Sequence, residues 1–490
     1  MSDVILDPDQ EKVVKHITDL DFQVLYVVGP PGYGKTAALR KGIQQFNVAH
    51  PDKKICVTGT TSVASVLLSE GGIEATTLHS WLQIAEDSLT MHIETLLRNA
   101  LEERLPSAPR ETHLLIVDEG SMLTAQNLGV LDVVQRWYRE NQNKRFGGMR
   151  MIIVGDPMQL PPVPPTNGPG LRRTERPDVI SCLQTLDDHK DVKYVVLSHS
   201  HRCTDKDYQK FLRGFVSRTR MERESSMRTL MMKYQRINLR TPLDVARAAL
   251  AINATVIAYS NEDVDDCNSA FQTILSTSPS HTFESPIRMF NEEDIKSIVL
   301  EGDFDRQAEV DAEEEEITEN RKRFFREGTL HEGQTVQIRA NHRSVNGVLV
   351  HVGDVCTFTG RDQYGNACMT RKKDGKELVI GKEVAKSEYW KQLKWTGYPF
   401  IAANAATVHL TQGATIQGPV IFFMRSITWD FNGNLPYILY VALSRVTDPA
   451  NMIVTHVTHP NGVHALASDK IQKTLDSIWS LEFMSQYPTA

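Results

Sequence analysis

Residues 29–36 read GPPGYGKT, directly after the apolar run FQVLYVVG (22–29) and directly before AALRKGIQQF, a stretch with helical spacing. Gly29, Gly32 and Gly34 let such a loop curl until its backbone N–H groups point inward, and the N-terminus of a following helix adds partial positive charge. That cradle suits phosphate oxygens. With Pro30, Pro31 and Tyr33 completing the loop, the Lys35 ammonium is placed for the β- and γ-phosphates of a nucleotide and the Thr36 hydroxyl for Mg²⁺. ATP and Mg²⁺ are the expected cofactors.

Hydrolysis also needs a carboxylate on the metal and a base for water. The stretch LLIVDEGSM (114–122) ends an apolar run in adjacent acids: Asp118 suits Mg²⁺ and Glu119 suits water activation. In VGDPMQLPPV (154–163), Gln159 falls just past another such run, where an amide can sense the γ-phosphate and turn its loss into movement. Upstream, LDPDQEKVV offers Gln10, an amide suited to both edges of an adenine.

These side chains need a scaffold that delivers them to one place. The apolar runs 22–29, 54–60, 113–119 and 150–156 alternate with helical stretches, the pattern of a parallel sheet covered on both faces. A second set, VKYVVLS (192–198), ATVIAYS (254–260), GPVIFFM (418–424) and NMIVTHV (451–457), predicts a second α/β core. Residues 83–111 read as a helical insertion in the first core, and residues 281–398 interrupt the second. The larger interruption starts with the acidic stretch 301–325, read as a solvated helix or linker. After it, QTVQIRA, GVLVHVGDVCTFTG and NACMTRKKDGKELVI alternate at period two around DQYGN and KKDGK turns, as a small antiparallel barrel would.

Composition bounds the rest. A chain of 490 residues exceeds one ordinary core, and the net charge of −7 means that any nucleic-acid site is a local channel. Cys56, Cys182, Cys203, Cys267, Cys356 and Cys368 are scattered without a CxxC pair, which argues against a disulfide framework and a zinc module. With no apolar run of the roughly 18 residues that span a bilayer, and no signal-like N-terminus, an intracellular soluble protein is expected, nuclear or cytoplasmic.

The ordered set LDPDQ, GPPGYGKT, TGTTSVA, TTLHSW, VDEGSM, GDPMQLPPV, LSHSHR, AYSNEDVDDCN, ATVHLTQGAT and YVALSR resembles superfamily one helicases of the Pif-like and RecD-like branch (SF1B), from about residue 6 to residue 457. The resemblance implies two RecA-like cores in tandem: 1–82 with 112–195, and 196–280 with 399–490. A wedge insertion at 83–111 and an insertion at 281–398, with an acidic linker and an SH3-like barrel, complete the expected domains. It further implies that Arg445 and Arg202 neutralise charge on the transferring phosphoryl group, with Gln412 and Gly413 linking strand grip to the γ-phosphate. By the same resemblance, Thr60, Thr61, Ser62, Thr77, His79 and Ser80 on the first core, and Asn261, Thr407 and His409 on the second, contact single-stranded DNA.

Three positions depart from the branch: Ser62 replaces a common glycine, Cys203 a common glutamine and Leu410 a common lysine. Trp81 is read as core packing, with base stacking as its alternative. The function implied is a monomeric, ATP- and Mg²⁺-dependent DNA helicase. It would move 5′→3′ on single-stranded DNA and open single-strand/duplex junctions in replication, repair or recombination. An RNA helicase of the same superfamily and a P-loop switch or assembly ATPase that never unwinds are its rivals.

Overall fold

The structure, a computed structural model of the chain, describes residues 5–60, 68, 73, 75–82, 107–162, 182, 192–236, 238–283, 287–288, 325, 328–339, 342–350, 354–372, 374–386, 394–412, 415–416, 418–425, 435–455, 466 and 469–489. Two compact units emerge, one of 1–239 with 407–490 and one of 240–406.

The first unit opens with α1 (Pro8–Asp19), whose start is fixed by a reciprocal cap. The Asp7 carboxylate accepts the N–H groups of Asp9 and Gln10, while the Gln10 side chain accepts the Asp7 N–H at 2.9 Å. Strand β1 (Val24–Val28) then runs into the glycine-rich loop, and α2 (Lys35–Ala49) leaves it. The sheet adds β2 (Lys54–Gly59), β3 (Ala75–Thr77), β4 (Thr112–Asp118), β5 (Arg150–Gly155) and β6 (Val192–Val196), in the spatial order β3-β2-β4-β5-β1-β6, every pair parallel. Both faces of such a sheet are covered, which is why β1 is buried at all five positions and β4 and β5 are near-continuous apolar runs. Leu25, Val27, Phe46, Leu114, Ile116 and Ile152 lie in the core on one side. One strand, β5, separates the loop-bearing β1 from the acid-bearing β4, so three adjacent strand ends open on the same crevice.

The same unit holds a second parallel set, Val420–Phe423 beside Met452–Thr455 beside Gln235–Arg236. The helix Leu435–Leu443 is buried at every residue and packs against the helix Lys206–Phe215. Residues 192–198 were expected to open this second set. They form β6 instead, paired with β1 in the first sheet. A short apolar run fits any parallel edge, and periodicity carries no information about which one it joins.

The second unit contains the helices Pro242–Ile252 and Asn261–Leu275, each started by a hydroxyl cap, Thr241 and Ser260. It also contains an antiparallel sheet in the order Glu377–Ile380, Ala367–Arg371, Val355–Arg361, Thr335–Ile338, Phe400–Ala402. The period-two alternation predicted the first four of these strands and not Phe400–Ala402. Their turns close where DQYGN and KKDGK put Gly365 and Gly375 at φ of +87° and +69°. Phe283, Val336, Phe358, Met369, Tyr398 and Phe400 fill the space beneath. Among the described residues no helix is long and apolar enough to cross a membrane.

Candidate nucleotide site

The glycine-rich loop has two left-handed residues, Gly32 (φ +80°) and Gly34 (φ +76°), a conformation that penalises any side chain. Space forbids one as well. A Cβ on Gly32 would lie 2.3 Å from Cβ of Arg202, and one on Gly34 would lie 2.0 Å from Nε2 of Gln10. Lys35, the first residue of α2, donates from Nζ to the carbonyl oxygens of Gly29 at 2.7 Å and Pro30 at 3.1 Å, which holds the ammonium within the loop. Burial lowers its pKa, and the nearby carboxylates of Asp156, Glu119 and Asp118 oppose that shift.

Gln10 is 2% exposed and donates from Nε2 to the Gly34 carbonyl at 3.2 Å, so the expected base-reading amide rests against the phosphate loop. The 198–203 segment is tied to the same place. His201 donates its backbone N–H to Gly32 O at 2.8 Å, and its Nε2 lies 2.8 Å from the Asp7 carboxylate.

Asp118 and Glu119 follow β4 into the crevice. Glu119 sits at φ +54°, an unusual position for a residue with a side chain, and turns the chain sharply. Its N–H donates to Oδ1 of Asp118 at 2.9 Å. Burial, and next the Glu119 charge, push the Asp118 carboxyl up to about 7. Carboxylate and hydroxyl oxygens are hard donors, so Asp118 and Thr36 fit a divalent cation such as Mg²⁺. Gln159 is 3% exposed, and its N–H donates to Asp156 O at 3.0 Å. Its Oε1 is a buried acceptor with no partner, as an amide awaiting a ligand group would be.

From the second strand set come Gln412, Arg445 and their supports. Gln412 Nε2 reaches Glu119 Oε2 at 3.2 Å and Ser121 Oγ at 3.4 Å. Arg445 is 1% exposed and donates to Val441 O (2.8 Å), Thr411 O (3.2 Å) and Ser444 Oγ (2.7 Å). Arg202 donates from Nη1 to Ser444 O at 3.1 Å. Burial, then the like charge of Arg202, push the Arg445 guanidinium down to about 9, while Glu119 and Asp156 pull the other way. Lys35, Asp118, Glu119, Arg202, Gln412 and Arg445 are therefore brought together. Sequence reasoning missed Asp156, Tyr440 and Ser444, although all lie in quoted stretches; a buried acid closing an apolar strand was the available signal for Asp156.

The expected strand contacts are placed as follows. Thr60 bonds back to the acid turn, N–H to Asp118 O at 3.2 Å and Oγ1 to Glu119 O at 3.0 Å. Thr77 ends β3, half-buried, in register with Gly59. His79 and Ser80 lie in the helix Leu78–Leu82, their side chains outside the described residues, as are Thr61, Ser62, Gly413 and positions 83–106. Trp81 is 3% exposed and donates from Nε1 to Thr112 Oγ1 at 3.2 Å, a core position. Thr407 Oγ1 accepts the Leu410 N–H at 3.2 Å, and burial lowers the pKa of His409. Asn261, in the second unit, is exposed at the start of its helix.

A glycine-rich loop after β1, acids after β4 and a second parallel set in the same unit define a P-loop protein with RecA-like α/β architecture. Residues 5–217 match the family described as PIF1-like helicase. It is 35% identical over 163 residues to the ATP-dependent DNA helicase RRM3 of Saccharomyces cerevisiae, covering 33% of this chain and 21% of that protein. It is 31% identical over 196 residues to the ATP-dependent DNA helicase Pif1 of a Psychrobacter species, covering 39% and 27%. The chain thus spans about a fifth to a quarter of the length of these curated relatives. The same fold is seen in Pif1 helicase from Candida albicans, with a TM-score of 0.68 at 20% identity over 98% of this chain and 100% of that one. Pif1 from Bacteroides in complex with ADP-AlF3 and ssDNA gives a TM-score of 0.58 at 20% identity over 98% of each chain.

Proposed function

We propose that this chain is an ATP-dependent DNA helicase that translocates 5′→3′ on single-stranded DNA and unwinds duplex. The observation that carries the reading is the meeting of Lys35, Asp118 and Glu119 with Gln412, Arg202 and Arg445 in one crevice, supplied by one polypeptide. The named relatives are ATP-dependent DNA helicases, and one structural neighbour holds ssDNA, which supports the choice of substrate.

ATP is the substrate. Lys35 and the loop N–H groups bind its phosphates, Gln10 reads the base, and Tyr33 with the two prolines shapes the loop. Thr36 and Asp118 would hold Mg²⁺, which when bound neutralises phosphate charge. Glu119 takes the proton from the attacking water, and Gln159 orients it and senses the γ-phosphate. Arg202 and Arg445 stabilise charge on the transferring group, and Gln412 with Gly413 passes its loss to the strand-gripping residues.

Thr60, Thr61, Ser62, Thr77, His79 and Ser80 grip DNA on one core and Asn261, Thr407 and His409 on the other, working in alternation. The domain division we propose is 1–82 with 112–195 and 196–280 with 399–490 as the two cores, 83–111 as the wedge and 281–398 as the acidic linker and SH3-like barrel. The working unit is a monomer.

Duplexes with a 5′ or a 3′ tail, made of DNA or RNA, test this. Only the 5′-tailed DNA should open, and Lys35→Ala should abolish opening. Opening of the 3′-tailed DNA alone would refute the polarity, RNA preference would refute the substrate, and inactivity on all four would favour a switch ATPase.

A further inference from the structure

The carboxylate of Asp156 is completely buried, one residue beyond β5, and is bound from three directions. Oδ1 accepts the Met158 N–H at 2.9 Å and the Tyr487 hydroxyl at 2.8 Å, and Oδ2 accepts the Tyr440 hydroxyl at 3.2 Å. The Met158 bond and the Asp156 O···H–N Gln159 bond close the turn that presents Gln159. Tyr440 lies in the helix that leads to Arg445, and its carbonyl accepts the N–H of Ser444, the residue that holds both arginines. Asp156 therefore joins the γ-phosphate-sensing turn of the first sheet to the helix that leads into Arg445.

Tyr487 comes from neither. It follows the helix Asp469–Trp479 in a short turn whose Phe483 packs edge-on against Tyr26 of β1 at 5.1 Å and at a tilt against Tyr194 of β6 at 5.9 Å. The Tyr487 ring is braced at 5.9 Å by Trp479, whose indole N–H is itself tied to Val216 O at 3.0 Å. The hydroxyl is thus rigidly aimed, and its bond to Asp156 is buried at both ends, where a hydrogen bond orients its partners strongly; the Tyr440 hydroxyl lies 3.3 Å from it. This residue lies beyond every recognised motif, and the sequence reading gave it no role.

We propose that Tyr487 is a positioning residue for nucleotide hydrolysis: by fixing the Asp156 carboxylate it holds Gln159 and, through Tyr440, Arg445 in reacting register. The proposal rests on the reading of the crevice as an ATP-hydrolysing site. Removing the hydroxyl leaves the ring packing intact but takes one of three donors from the carboxylate and a neighbour from the Tyr440 hydroxyl, which loosens both, so the loss falls on the transition state rather than on nucleotide capture.

The test compares the full-length wild type with Tyr487→Phe, Asp156→Asn, the pair, and Ser485→Ala on the exposed side of the same turn. The measurements are DNA-stimulated ATP turnover, thermal melting, and the tightening of a fluorescent ADP analogue by aluminium fluoride, a mimic of the transferring phosphoryl group. Tyr487→Phe should lower kcat about tenfold with KM within about twofold, and should weaken the aluminium fluoride effect by a similar factor. Its melting should match that of Ser485→Ala, which keeps full turnover, and the pair should lose no more than Asp156→Asn alone. Unchanged kcat and unchanged fluoride tightening in Tyr487→Phe, or losses that multiply in the pair, would overturn the proposal. A wild type that binds the ADP analogue but never hydrolyses ATP would overturn the underlying reading instead, and the fluoride arm would still decide the role of Tyr487.

Discussion

The side-chain amide of Gln412 donates to the carboxylate of Glu119 across 3.2 Å, joining residues 293 positions apart in the chain. Glu119 is the proposed base, so its orientation is set by a group from the opposite strand set. Gln412→Glu would place two carboxylates at that contact. ATP turnover should fall at least tenfold while ADP-analogue affinity stays within about threefold, because like charge replaces the hydrogen bond that orients the base and leaves the phosphate loop untouched. Full turnover in this variant would show that the contact has no part in the chemistry.

Gly32→Ala should lose nucleotide binding. The backbone sits at φ +80°, and the new methyl would meet Arg202 Cβ, an atom that cannot move without its main chain. The conformation alone costs about 1–2 kcal/mol, and relief of the clash must displace either the loop or Arg202. Titration with the ADP analogue should show affinity down about tenfold or more.

Trp81→Phe should destabilise the chain and spare its DNA affinity. The indole is buried and donates to Thr112 Oγ1, so the change leaves a hydroxyl underused and a space unfilled, about 1–3 kcal/mol in denaturant titration. A loss of single-strand affinity with unchanged stability would identify a stacking residue instead.

Burial holds the pKa of His409 below the ordinary 6.5. The folded state therefore takes up its proton less readily than the unfolded chain. The ring contributes no penalty above pH 6.5, and stability is lost as pH falls below 6.5 toward the depressed folded value. His409→Gln should flatten that acid decline in thermal melts. At pH 7.5 the ring is neutral, so the same variant should leave the salt slope of DNA binding unchanged; a shallower slope would mean a charged phosphate contact.

Much of the fold was legible because parallel strands buried on both faces write themselves as apolar runs, and 54–60, 113–119 and 150–156 became β2, β4 and β5. The phosphate loop was legible because glycine is needed at Gly32 and Gly34 for reasons of backbone and space alike. Less visible was anything set by partner choice. The run at 192–198 names a strand but not its neighbour, and β6 joined the first sheet. Asp156 was passed over beside Gln159 because its importance comes from Tyr440 and Tyr487, 284 and 331 residues away. The placement of Arg445 against Thr411 O and Ser444 Oγ likewise depends on contacts that a single sequence does not spell out.

In the proposed mechanism one polypeptide supplies both walls of the crevice. Mixing Lys35→Ala chains with Arg445→Lys chains, each inactive alone, tests it through ATP turnover on single-stranded DNA. Both walls in cis predict that the mixture stays as inactive as its components at every ratio, beside a wild type strongly stimulated by the same DNA. Recovery of turnover in the mixture would mean that the arginine acts on a neighbouring chain, and would contradict the account.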